Sequence, residues 1–188
     1  MQLKDFIPFV SKKYSNIFFS GIAFDSSKVK KNDIFFAIKG NKFDGNNFID
    51  IAIKKGAKVI VTEKKINKKK ENTVFLYSSN VRKLLANVAF KILDNKPKKL
   101  VAVTGTNGKS SIADFYYQIL KLNYKKVASI GTIGIRHNNK KKSLGNTTLD
   151  PIKLCSIIKD LKKKKTEYII MEASSHGLKQ NILDLFYF

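Results

Sequence analysis

The chain has 188 residues, 43% of them hydrophobic, which suits one large or two small domains with buried cores and excludes wholesale disorder. Its 37 basic and 14 acidic residues leave a formal net charge of +23, yet only Arg82 and Arg136 are arginine. No apolar run approaches the ~20 residues that cross a bilayer, and one cysteine, Cys155, excludes a disulfide framework or a multi-cysteine zinc site, so a cytoplasmic protein without membrane association is expected.

Strand-like and helix-like patterns alternate along the first hundred residues. The run Ile34-Phe35-Phe36-Ala37-Ile38 predicts a buried strand, punctuated by Asp33 and Gly40. Phe48, Ile49, Ala52 and Ile53 recur at helical spacing, with Gly56 as the stop. Residues 58–62 and 74–77 predict two more strands. Ser79 or Asn80 then caps a helix with the stripe Val81, Leu84, Leu85, Val88, Ala89 and Ile92. The polar segment 94–99, with Pro97, predicts a domain boundary, giving domains 1–97 and 98–188.

The alternation then restarts. Residues 100–104 predict a strand, about 109–122 a helix and 127–130 a strand. Asp150 and Pro151 supply a cap and a first-turn proline for a helix bearing Ile152, Leu154, Cys155, Ile158 and Leu161. Residues 168–171 predict the last strand. This order means an α/β fold with a mainly parallel sheet covered by helices. The apolar segment 181–188 reads as the start of another sheet element, so a truncated chain is expected.

A basic excess suggests phosphate-bearing partners, and a P-loop nucleic-acid-binding protein is one reading. Nucleic-acid sites favour the bidentate fork of arginine, however. The lysine clusters at 30–31, 64–65, 68–70, 140–142 and 162–165 are dispersed and mostly flank predicted loops or helix ends. No specific nucleic-acid partner is expected.

Thr104, Gly105, Thr106, Asn107, Gly108, Lys109, Ser110 and Ser111 lie directly between a predicted strand and helix. Glycines let backbone N–H groups turn inward around phosphate oxygens, and the helix start adds partial positive charge. Lys109 can reach the β- and γ-phosphates, and the Ser110 hydroxyl can ligate Mg²⁺. The first glycine of the general P-loop pattern is missing, since Val103 stands there. Glu172 ends a strand, where an acidic residue either holds Mg²⁺ or caps the next turn. Ser174, Ser175 and His176 could supply a nucleophile and base, but no nucleophile elbow is present and a binding loop fits better. By themselves Asn146, Thr147 and Thr148 read only as a capping region.

Taken together these segments resemble the Mur ligase family. The loop matches its Thr-Gly-Thr-Asn-Gly-Lys-[Ser/Thr] form, which accounts for the missing glycine; folylpolyglutamate synthetases carry a related loop. Asn146-Thr147-Thr148 with Asp150-Pro151, and the block from Met171 to Gln180, are similar to segments of the branch that adds the third amino acid of the peptidoglycan peptide. Asp25-Ser26-Ser27, Asp33-Ile34-Phe35-Phe36-Ala37, Gly40 and Asp44-Gly45 resemble an N-terminal signature shared with the next ligase in the pathway. That next ligase, or another Mur ligase, is the alternative within the family.

The resemblance implies ATP-dependent amide-bond formation on UDP-MurNAc-L-Ala-D-Glu, with diaminopimelate or lysine as the added amino acid. It implies ATP on Gly105, Thr106, Asn107, Gly108, Lys109, Ser110 and Ser111, with Lys109 as the catalytic cation, and Mg²⁺ on Ser110 and Glu172. It places the uridine end on Phe24, Ser26, Asn41, Lys42 and Phe43. The muramoyl-peptide falls to Asn146, Thr147, Thr148, Ser174 and Gln180. Ser27 and Ile182 stand where the family usually has arginine. Family members are more than twice as long, and their C-terminal domain selects the amino acid. The expectation is therefore a monomeric N-terminal fragment, a UDP-sugar-binding domain and an incomplete ATP-binding domain, that forms no peptide bond alone.

Overall fold

A computed structural model describes residues 1–40, 43–66, 72–93, 97–138, 140–144 and 149–173. The chain divides into two compact units, Met1–Lys91 and Ile92–Phe188.

In the first unit, a short helix α1 (Leu3–Phe6) precedes β1 (Ile22–Ala23), β2 (Ile34–Ala37), α2 (Ile49–Lys54), β3 (Val59–Thr62), β4 (Val74–Tyr77) and α3 (Val81–Leu93), whose last two residues fall in the second unit. The four strands pair in parallel in sequence order, with Phe36 opposite Val61 and Val61 opposite Leu76. Every residue of β2 and β3 is buried. This explains why both read as continuous apolar runs rather than alternating ones: a parallel sheet is covered on both faces. On one face Phe35 and Ile60 join Ile49 and Ala52 of α2, with Ala23, Val29 and Ala57. Helix α2 stops at Gly56, whose φ of +94° is a left-handed conformation that a side chain would strain. Asn80 is the cap of α3; its Oδ1 accepts from the Lys83 N–H at 2.8 Å.

The second unit runs β5 (Lys99–Val103), α4 (Lys109–Leu122), β6 (Val127–Gly131), β7 (Gly134–His137), β8 (Lys140–Lys142), α5 (Pro151–Lys163) and β9 (Tyr168–Glu172). The strand order is β5-β9-β6-β7-β8; β9 is parallel to both its neighbours, and β7 and β8 are antiparallel additions. Ala113 and Tyr117 of α4 pack with Val127 and Ile170. The carboxylate of Asp150 caps α5, accepting from the Lys153 N–H at 2.8 Å.

Strands β7 and β8 add to the expected sheet an antiparallel pair that the sequence patterns do not predict. Lysines 140–142 form an edge strand rather than flanking a loop or helix end. All three are exposed, so they lack the apolar signature of a buried strand, and an edge strand of lysines resists pairing with another chain. Among the described residues no helix is long and apolar enough to cross a membrane.

Candidate functional site

Strand β5 delivers the chain to residues 104–108, which are exposed, and α4 begins at Lys109. Gly108 occupies the helix N-cap with φ +76°, and Gly105 has φ +148°; both turns use backbone space that favours glycine. Lys109 folds back over the loop, its Nζ donating to the carbonyls of Gly105 at 2.6 Å and Thr106 at 2.9 Å. A cation is thus held over backbone amides at a helix start, an arrangement suited to phosphate.

Register supplies the acidic partner. Val103 pairs with Glu172, so the end of β9 lies beside the loop that leaves β5. The Ser110 hydroxyl donates to Glu172 Oε2 at 2.9 Å. The same oxygen accepts from the Thr132 hydroxyl at 2.8 Å. The Ser110 hydroxyl and the Glu172 carboxylate form a hard, oxygen-only donor set of the kind Mg²⁺ accepts while keeping several waters. Among the described residues no three His, Cys, Asp or Glu side chains cluster as a metal cage, so such an ion would need oxygens from nucleotide or water as well. The residues present fit Mg²⁺ on those terms.

In the first unit, Phe24 follows β1, and Ser26 opens a 3₁₀ turn, Ser26–Lys28. That turn is tied by Asp25, whose Oδ1 accepts from the Ser27 N–H at 2.9 Å and from its hydroxyl at 2.7 Å. Past β2, Asp44 accepts from the Asn46 N–H at 2.9 Å, and Thr62 at the end of β3 donates to Asn46 Oδ1 at 2.6 Å. Gly45 permits this approach, since a Cβ there would lie 2.7 Å from backbone atoms of Ile38. Phe43 is 73% exposed, an aromatic face left for a ligand or solvent. These groups gather at the carboxyl ends of parallel strands, where such sheets bind ligands.

Two family descriptions cover most of the chain: "Mur ligase family, catalytic domain" matches residues 19–96 and "Mur ligase middle domain" matches residues 103–188. The chain belongs to the Mur ligase family. It is 42% identical over 164 residues to the UDP-N-acetylmuramoyl-L-alanyl-D-glutamate--2,6-diaminopimelate ligase of Rickettsia conorii, covering 85% of this chain and 34% of that protein. The ligase of the same name from Zymomonas mobilis is 41% identical over 160 residues, covering 85% and 32%. A solved structure of a protein of that name superposes with a TM-score of 0.82 at 26% identity, over 99% of this chain and 38% of that one. The MurF ligase of Thermotoga maritima in complex with ADP gives 0.53 at 28% identity, over 82% and 32%. The chain thus spans about a third of the length of the curated relatives it matches.

Of the residues expected to serve this Mur ligase chain, Lys109, Ser110 and Glu172 are brought together, and the loop from Gly105 to Gly108 adjoins them. Phe24, Ser26 and Phe43 are placed by the first unit. Asn41, Lys42, Asn146, Thr147, Thr148, Ser174 and Gln180 lie outside the described residues, as does Ile182. Sequence reasoning missed Gly131 and Thr132, although two glycines flanking Thr132 and Ile133 are a hairpin-turn signal. A separate cleft of about 360 Å³ lies between β7, β8 and α5, lined by His137, Lys140, Lys142 and Lys164 among others; it contains none of the expected site residues. Burial, then the Lys164 charge, lowers the His137 pKa there.

Proposed function

We propose that the chain supplies the UDP-substrate and nucleotide sites of a ligase that joins an amino acid to UDP-MurNAc-L-Ala-D-Glu at the expense of ATP. The named relatives use 2,6-diaminopimelate, which makes it the first candidate for the added amino acid. One observation carries the reading: a lysine-bearing glycine loop at the start of α4 whose Ser110 hydroxyl meets the Glu172 carboxylate at 2.9 Å. In this reading the amides of residues 105–108, with Lys109 and Ser111, bind the ATP phosphates. Lys109 neutralises charge on the phosphoryl group as it passes to the substrate carboxylate, and the amine then displaces phosphate from that acyl phosphate. Mg²⁺, held by Ser110 and Glu172, would screen the phosphate oxygens. Phe24, Ser26, Asn41, Lys42 and Phe43 take the uridine end. Asn146, Thr147, Thr148, Ser174 and Gln180 take the muramoyl-peptide, and the protein works in the cytoplasm as a monomer.

Calorimetry on the chain tests the nucleotide assignment. Lys109→Ala should weaken Mg-ATP binding by about 2 kcal/mol, roughly thirtyfold, as for loss of a charge-assisted contact. Equal affinity in variant and parent would sink the assignment.

A further inference from the structure

The turn between β6 and β7 bears on the site through one atom. Glu172 Oε2 accepts from the Ser110 hydroxyl at 2.9 Å, the Thr132 hydroxyl at 2.8 Å and the Thr132 backbone N–H at 3.3 Å. Its other oxygen lies over Gly131: a Cβ on that residue would sit 2.1 Å from Oε1 and 2.3 Å from Cδ of Glu172. No side chain at position 131 is compatible with this carboxylate orientation. We propose that Thr132 is a positioning residue of the nucleotide site, holding Glu172 over Gly131 so that the carboxylate and Ser110 Oγ together receive a divalent cation. This rests on the nucleotide-site reading above and adds a residue to it.

The physical reason lies in the hydrogens. A hydroxyl that gives its proton to a carboxylate turns its lone pairs elsewhere, so Ser110 Oγ keeps acceptor capacity for a cation. A glutamate side chain is flexible, and two donors from one rigid turn remove that freedom before the metal arrives. The turn is itself anchored. Arg136 of β7 forms an ion pair with Asp114 and lies 4.5 Å over the ring of Tyr117, both on the helix that begins with Lys109 and Ser110. Tyr117 is fully buried, so this bracket ties the hairpin to the core under α4.

The test uses the 188-residue chain, Mn²⁺ as a paramagnetic probe and a non-hydrolysable ATP analogue. Thr132→Val keeps shape and backbone N–H but loses the hydroxyl donor; Thr132→Ser restores it. Electron paramagnetic resonance should show Mn²⁺ affinity in the nucleotide complex falling about tenfold in Thr132→Val and recovering in Thr132→Ser. Metal-free affinity for the analogue should not change. Gly131→Ala, which displaces Glu172 sterically, should reproduce the Mn²⁺ defect, and it carries the test should Thr132→Val fail to fold. Parent-like Mn²⁺ affinity in Thr132→Val or Gly131→Ala overturns the positioning role while leaving the nucleotide site intact. A parent chain that binds the analogue but takes up no Mn²⁺ in that complex overturns the metal site and this role with it. A parent that binds no nucleotide overturns the broader reading.

Discussion

Asp44 illustrates how a single carboxylate shapes a loop and a pH response. Its Oδ1 accepts from the Asn46 N–H at 2.9 Å and from Asn46 Nδ2 at 2.7 Å, while Lys64 Nζ lies 3.6 Å from Oδ2. The Asn46 backbone bond, then its side-chain bond, holds the Asp44 carboxyl below the ordinary range. The Ser27 hydroxyl, then its N–H, does the same to Asp25. A depressed folded-state pKa stabilises the fold above the unfolded value, about 4, and the contribution disappears as pH falls through the folded value. Urea midpoints should therefore drop between pH 5 and pH 3. Asp44→Ala should cost more stability at pH 6 than at pH 2.5, and a penalty of equal size at both would remove the ionised carboxylate from the explanation. Cys155 behaves oppositely. It is 8% exposed, and burial, then the nearby Asp150 charge, pushes its thiol up to about 12. Thiolate is the reactive form, so a disulfide reagent at pH 7.5 should label Cys155 only at the rate of unfolding. Fast stoichiometric labelling of the folded chain would contradict that placement.

At the scale of elements, boundaries follow local chemistry. Asp150 closes the first turn of α5 and Pro151 has no N–H to leave unsatisfied there. Asp150→Ala should destabilise the chain by about 1 kcal/mol in urea unfolding. Strand β8 depends on context instead. Its lysines pair with Ile135, Arg136 and His137 at the edge of the sheet. Replacing all three with valine would create a flat apolar edge, and light scattering should then show concentration-dependent association that the parent lacks. Helix α4 carries a second exposed stripe: Ile112, Phe115, Ile119 and Leu122 are each more than half exposed, whereas Ala113 and Tyr117 on its other side are buried. Its helical period is legible in the sequence, but the chain has apolar residues on both sides of this helix, so period alone does not say which side faces the sheet.

For the whole molecule, charge is the dominant property. Thirty-seven basic residues against 14 acidic ones will attract any polyanion. The arginines are both engaged: Arg136 with Asp114, and Arg82 through a 3.1 Å bond to the Lys39 carbonyl. That leaves dispersed lysines, which bind phosphate without reading bases. Binding of duplex DNA should weaken steeply with salt and be indifferent to sequence. Nanomolar, sequence-selective binding at about 150 mM salt would favour a nucleic-acid function instead.

The sequence by itself determined the parallel α/β framework in both units. Runs such as Ile34-Phe35-Phe36-Ala37 and the capped helix after Asp150 are local signals: burial on both faces, helical period and capping chemistry act within a few residues. The glycine loop with Lys109 and Ser110 was legible for the same reason, because its turn, cation and helix start are contiguous. Only the tertiary structure decided what meets it. The strand order β5-β9-β6 brings Glu172, 62 residues away in the chain, to Ser110, and the β6–β7 turn brings Thr132 to Glu172 across 40 residues of chain. No local pattern encodes such distances, since they arise from register between strands and from the antiparallel β6–β7 hairpin, whose second strand, Gly134–His137, is not a continuous apolar run.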